Sequence, residues 1–150
     1  MRRITIAFLL IVSIVGPAAA AENTQVLAPG HQFVDGLNKG DVNSVVGACA
    51  DETSLIDEFP PYEWHGAGAC AKWFSDLATV RKATAVTSLA VRLQKPLHVE
   101  VTGDRAYVVH LANLSYTMKG KSEKEPGAIT FALQKGAAGW RITGFAWSAH

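Results

Sequence analysis

The chain has 150 residues, 49% of them hydrophobic and 18% charged, with a formal net charge of +1. That length suits one domain able to bury its own core. No Lys/Arg run is long enough to follow a phosphate backbone, which argues against a nucleic-acid partner.

Arg2 and Arg3 precede an apolar run from Ile4 to Val15, and small residues follow from Gly16 to Ala21. A positive start, a short apolar core and small residues at Ala19 and Ala21 describe a secretory signal peptide cut before Glu22. The run is shorter than the ~20 residues of a membrane span, and no other segment is long and apolar enough. The expected organisation is a signal peptide over 1–21, a flexible segment over 22–30 and a folded domain over 31–150. No stable membrane span is expected after cleavage, and the location is periplasmic or secreted. Cleavage lowers the basic count from 14 to 12 against 13 acids, so the mature chain is near −1.

Helical patterning follows in two pieces. Phe33 and Leu37 open the first, Asn38-Lys-Gly-Asp41 interrupts it, and Asp41 can cap a second. Val42, Val45, Val46 and Cys49 then repeat at helical spacing, with Asp51 and Glu52 read as the helix end. A stiff connection at Pro60-Pro61-Tyr62 leads to a third helix from about Ala67 to Arg81. Its apolar side carries Cys70, Trp73, Phe74, Leu77 and Val80.

Beyond Ala83 the pattern alternates, as in strands. Leu89, Val91 and Leu93 form one run, Pro96 breaks it, and Leu97, Val99 and Val101 form the next. A long strand covers Tyr107 to Tyr116, a charged loop Lys119 to Gly127, and further strands Ala128 to Leu133 and Trp140 to Trp147. Helices first and hairpin-linked strands after predict an α+β fold with an antiparallel sheet.

Cys49 and Cys70 both fall on apolar helix stripes. In an oxidising compartment they can form a disulfide; two small thiols in the core are the other reading. Their spacing matches no zinc motif. His31, His65, His98, His110 and His150 are dispersed, so no metal site is expected, and no phosphate loop or G-x-S-x-G elbow is present. No cofactor is expected.

Phe33-Val-Asp-Gly-Leu-Asn-Lys-Gly-Asp41, then Ala50-Asp-Glu-Thr-Ser-Leu-Ile-Asp57, then Trp64-His-Gly66 resemble the nuclear-transport-factor-2-like, or SnoaL-like, superfamily. That superfamily includes ketosteroid isomerases and polyketide cyclases. The resemblance spans about residues 31 to 147. It implies three N-terminal helices packed on a strongly curved antiparallel sheet, a cystatin-like cone with an internal cavity. It also implies a capacity to form a homodimer through the outer sheet face.

Asp57 falls where the resembled isomerases keep their catalytic aspartate. In that chemistry a tyrosine and a protonated aspartic acid hold the enolate oxygen. Here the tyrosine position matches Phe33, and the second acid falls on Thr130 or Phe131. Without those donors the oxyanion loses interactions commonly worth 10²–10³ each in rate, which disfavours steroid isomerisation.

Leu55, Ile56 and Phe59 surround Asp57 with apolar groups that would raise its pKa and suit proton transfer. The plainer reading is an exposed loop acid beside Asp51, Glu52 and Glu58. His65 could pair with Asp57 as acid and base, or simply cap or pack in its loop. On the long strand, His110, Ala112, Leu114 and Tyr116 share one face, which the resemblance implies is turned to the cavity; there His110 and Tyr116 would supply polar handles, or His110 would sit satisfied in the core. Phe33, Tyr62, Trp64, Trp73, Phe131 and Trp147 complete the expected pocket, with core filling as the alternative. The leading expectation is an exported protein binding a small, mostly apolar ligand. The alternatives are a cofactor-free isomerase, cyclase or dehydratase using Asp57 as general base, and an interaction module that pairs through its sheet.

Overall fold

The computed structural model describes residues 17–149, with side chains from residue 23 onward. Most of the expected signal peptide, residues 1–16, lies outside the described residues. Three helices come first: α1 (Pro17–Lys39), α2 (Val42–Ala48) and α3 (Ala69–Ala83). Six strands complete the chain: β1 (Cys49–Ile56) and β2 (Glu63–Ala67) before α3, then β3 (Val86–Thr102), β4 (Arg105–Met118), β5 (Lys121–Gly136) and β6 (Gly139–Ala149). Their order across the sheet is β2-β1-β6-β5-β4-β3. Every neighbouring pair is antiparallel except β1 with β6, because β1 enters the sheet from the helical half and meets the last strand side by side. This is the expected α+β cone, with one parallel seam in its sheet.

Four local expectations change. Residues 23–30 belong to α1 and are not a flexible segment, because Val26 is fully buried and seals the helix onto the core. Gly30 allows that approach: a Cβ there would lie 2.9 Å from the Phe131 ring. Asp51 and Glu52 lie on strand β1 and do not end a helix, since α2 stops at Ala48 and Cys49 already has extended backbone angles. Pro96 does not break its strand. β3 is an edge strand and absorbs the proline as a bulge, where no ladder N–H is needed. Finally, the charged stretch from Lys121 to Gly127 is strand, paired residue for residue with β4. The loop shrinks to a two-residue turn, with Lys119 at φ 51° and Gly120 at φ 79°, the left-handed pair a tight hairpin uses.

Asp41 caps α2 as expected, accepting from the Asn43 and Ser44 amides. Asn38, just before it, has a second task. Its side-chain amide donates to the Val91 carbonyl at 2.8 Å and accepts from the Val91 N–H at 2.7 Å. That double bond satisfies the backbone of edge strand β3 and ties the end of α1 to the sheet, holding the mouth of the cone in shape.

Cys49 and Cys70 are joined, with 6.6 Å between their Cα atoms. The bond links the start of β1 to the first turn of α3. The loop it closes contains Asp57.

Candidate functional site

Side-chain alternation brings the walls of the cavity together. On β1, Thr53 and Leu55 are buried between exposed neighbours, and Asp57 continues their parity just past the strand end. It is thus turned inward by the pleat. The following turn is closed by Asp57 N–H to the Tyr62 carbonyl and Tyr62 N–H to the Phe59 carbonyl. On β6 the parity changes. Leu133 pairs with Ile142 but Ala132 pairs with Gly144, so Thr143 is an extra residue. Without that bulge Trp140 and Trp147 would face opposite sides; with it, Ile142, Phe145 and Trp147 all turn inward.

The result is a cavity of about 190 Å³ between α1, α3 and the sheet. Phe33, Leu37, Leu77, Leu89 and Phe145 supply much of its apolar surface, and Asp57, Glu58, Arg81, Tyr116 and Glu125 its polar groups. The Trp73 indole N–H donates to Asp57 Oδ2 at 2.8 Å, and the Glu58 amide donates to its Oδ1 at 2.8 Å. Trp73 is itself held by Phe33, whose ring stacks on it at 5.2 Å. Burial pushes the Asp57 carboxyl above its ordinary range, against those two hydrogen bonds and with help from the Glu125 charge.

Near Asp57, Glu58 and Glu125 face one another. The Glu58 carboxyl is also raised, first by burial and then by Glu125. Tyr116 is raised by burial and by its acidic neighbours, with Glu125 foremost among them. Three carboxyl groups and a phenol therefore sit at one lining, where adding negative charge is costly.

Of the pocket residues expected from sequence, Phe33, Trp73, Leu114, Tyr116 and Trp147 line this cavity together with Asp57. Four others do not. Tyr62 is 58% exposed on the outside of its turn. Trp64 is buried against Phe59 and donates its indole N–H to Asp76 on α3. Phe131 fills the core between Phe33 and His110. His110 is 1% exposed and donates from Nδ1 to the Gln94 carbonyl at 2.8 Å, a group that the Pro96 bulge leaves outside the regular ladder. Burial lowers the His110 pKa, so the neutral ring is the favoured form. It is a satisfied core histidine.

His65 is not paired with Asp57. Successive residues of β2 point to opposite faces, so burying Trp64 sends His65 outward, where it meets Ser54 and Glu63. Among the described residues no three His, Cys, Asp or Glu side chains converge as metal ligands would, and no helix is long and apolar enough to cross a membrane.

The sequence reading missed Glu125, Arg81 and Glu58 as cavity groups. Glu125 shares the parity of Ile129, Phe131 and Leu133, a signal that is readable once β5 is extended back through the charged stretch. Arg81 lies four residues beyond Leu77, on one helix face, and it also lines the cavity.

The SnoaL-like domain model matches residues 26–149. The chain belongs to this family. No curated protein sequence matches it. Among solved structures it is similar to the hexachlorocyclohexane dehydrochlorinase LinA-type3 from Novosphingobium barchaimii, with a TM-score of 0.75 at 10% identity over 87% of this chain and 88% of that one. A nuclear transport factor 2-like superfamily protein from Salmonella enterica serovar Typhimurium matches with a TM-score of 0.72 at 15% identity over 87% and 92%. A ketosteroid isomerase-like protein from Erwinia carotovora gives 0.68 at 20% identity over 85% and 95%. At these identities the likeness is one of fold. This SnoaL-like domain has the cone whose relatives commonly hold small ligands.

Proposed function

We propose that the protein is exported and binds a small, mostly apolar molecule in the cone. The observation that carries the binding reading is the cavity itself, walled by aromatic and aliphatic side chains with a few polar groups, Asp57 among them, on one side. Trp73 and Trp147 both line it, so a bound molecule should change tryptophan fluorescence. Titration with a set of lipophilic compounds should give at least one saturable change together with a raised melting temperature. A Leu114→Trp variant, which fills the space, should stay folded and lose both responses. If no compound produces either response in the natural protein, the binding reading fails.

A second reading is supported by the state of Asp57. A carboxyl group raised by burial and held by an indole N–H suits proton transfer nearer neutral pH than a free aspartate does. The corresponding activity is a cofactor-free isomerisation, cyclisation or dehydration. Phe33 offers no hydroxyl beside Asp57, which continues to disfavour steroid isomerisation. An Asp57→Asn protein that retained full turnover of a candidate substrate would end this reading.

Export is supported by the Arg2–Ala21 pattern and by the Cys49–Cys70 bond, since disulfides persist in oxidising compartments. Intact mass of the protein recovered from a bacterial periplasm should correspond to a chain beginning at Glu22 with two hydrogens fewer than its reduced form. A full-length mass in that fraction would refute the cleavage site.

A further inference from the structure

Among the described residues, four buried side-chain polar atoms have no hydrogen-bond partner in the protein: Arg81 Nε, Glu125 Oε1, Trp140 Nε1 and Trp147 Nε1. Native interiors contain few such atoms, and each calls for a physical cause. Three of the four belong to residues that line the cavity described above, and they come from three different elements. Trp140 is the exception and lies outside that wall.

Glu125 and Trp147 line the same cavity, on adjacent strands and beside a backbone gap. Trp147 lies over Gly127, where a Cβ would come 2.5 Å from its Cη2. Gly127 and Glu125 are two residues apart on the inward face of β5. Glu58 lies close to both the Trp147 indole and the Glu125 carboxyl, yet neither Trp147 Nε1 nor Glu125 Oε1 has a partner at hydrogen-bond geometry. The wall thus presents two N–H donors, from Trp147 and Arg81, and one carboxylate oxygen, from Glu125, all unmatched.

We propose that the ligand of this cavity is a neutral, hydroxyl-bearing apolar compound, whose hydroxyl oxygen accepts from the Trp147 indole and whose hydroxyl hydrogen is donated to Glu125. The inference rests on the cavity being a ligand site and adds the chemistry of the ligand's polar end. A hydroxyl group both donates and accepts, so it serves both kinds of unmatched atom. An ammonium group would serve Glu125 but leave both N–H groups unmet and face the Arg81 charge. A carboxylate would serve the N–H groups but enter a lining with Asp57, Glu58 and Glu125. The rest of the molecule contacts apolar surface from α1, α3 and β3.

Four probes of one shape decide the matter: cumene, para-isopropylphenol, para-isopropylbenzoate and para-isopropylbenzylammonium, titrated against the mature protein by NMR. The phenol should bind about tenfold more tightly than cumene, the size of effect one added hydrogen bond supplies, and more tightly than either charged probe. Trp147→Phe and Glu125→Leu should each reduce the phenol-to-cumene affinity ratio from about tenfold to near one, a ratio read within each variant because both residues also line the cavity. The cumene value also reports that each variant is folded. Equal affinity for phenol and cumene would assign the unmatched atoms to water and overturn the inference while leaving the cavity reading intact. Tightest binding of the ammonium or benzoate probe would overturn it in favour of a charged ligand. Failure of all four to bind would overturn the inference and the site together.

Discussion

Trp73 and Trp64 each donate an indole N–H to an aspartate, Trp73 to Asp57 at 2.8 Å and Trp64 to Asp76 at 2.9 Å. The two bonds are alike in chemistry and length, yet the carboxyl groups respond in opposite directions. Asp57 is raised, because burial outweighs its hydrogen bonds and Glu125 adds like charge. Asp76 is lowered by the Lys72 ammonium at 2.6 Å and then by the Trp64 indole. A hydrogen bond to an indole therefore does not decide how a carboxylate behaves. Access to water and the sign of the nearest charge decide it. One pair staples β2 to α3 at the surface; the other holds an acid poised inside a cavity.

The largest effect should come from the covalent link, whose loop holds one member of each pair and leaves the other on α3. The Cys49–Cys70 loop contains Asp57 and Trp64 but neither Trp73 nor Asp76. Replacing both cysteines by alanine should cost about 3 kcal/mol in urea unfolding on the chain-entropy account. Retention of full stability would show that the bond does not constrain this loop.

Next in size are the two tryptophans. Trp73→Phe leaves the buried Asp57 carboxylate without its indole donor and should cost about 2–3 kcal/mol. Trp64→Phe should cost less, since Asp76 keeps Lys72 and has water at hand. Equal losses in urea melts would erase the distinction between the two sites.

The smallest effect is the most diagnostic. For Asp57 the folded protein holds its proton more tightly than the unfolded chain, so native stability falls as pH rises above the ordinary value of 3.8 toward the raised one. Asp57→Asn should therefore gain stability relative to the natural protein across that window. Asp76 has the opposite sign: its contribution is present above 3.8 and is lost as pH falls through the lowered value. The deficit of Asp76→Asn should accordingly be full and constant above 3.8 and shrink as pH falls through the lowered value. Unfolding free energies of the two variants measured against pH would break the comparison if both curves ran the same way.

Much of the fold was legible because periodicity and capping are local. Helix α3, the Asp41 cap and the inward parity of His110, Ala112, Leu114 and Tyr116 all follow from spacing along one element. Less of the site was legible. His65 looked close to Asp57 in sequence, but the pleat that buries Trp64 turns it outward. His110 lay on the correct face, yet the cavity does not extend along the whole of that face. Glu125 was hidden in a stretch whose charges suggest a loop until a long neighbouring strand supplies hydrogen-bond partners for every residue of it.

From sequence alone came the family, the α+β architecture, the placement of Asp57 at the cavity and the pairing partners available to the two cysteines. Each rests on residue type and short-range spacing. The parallel meeting of β1 and β6, the bulge at Thr143 that turns Trp147 inward, and the grouping of Arg81, Glu125 and Trp147 on one cavity were decided only by tertiary structure. Those features depend on register between distant strands and on burial, which alone determines whether a carboxylate is an exposed surface charge or a group short of a partner.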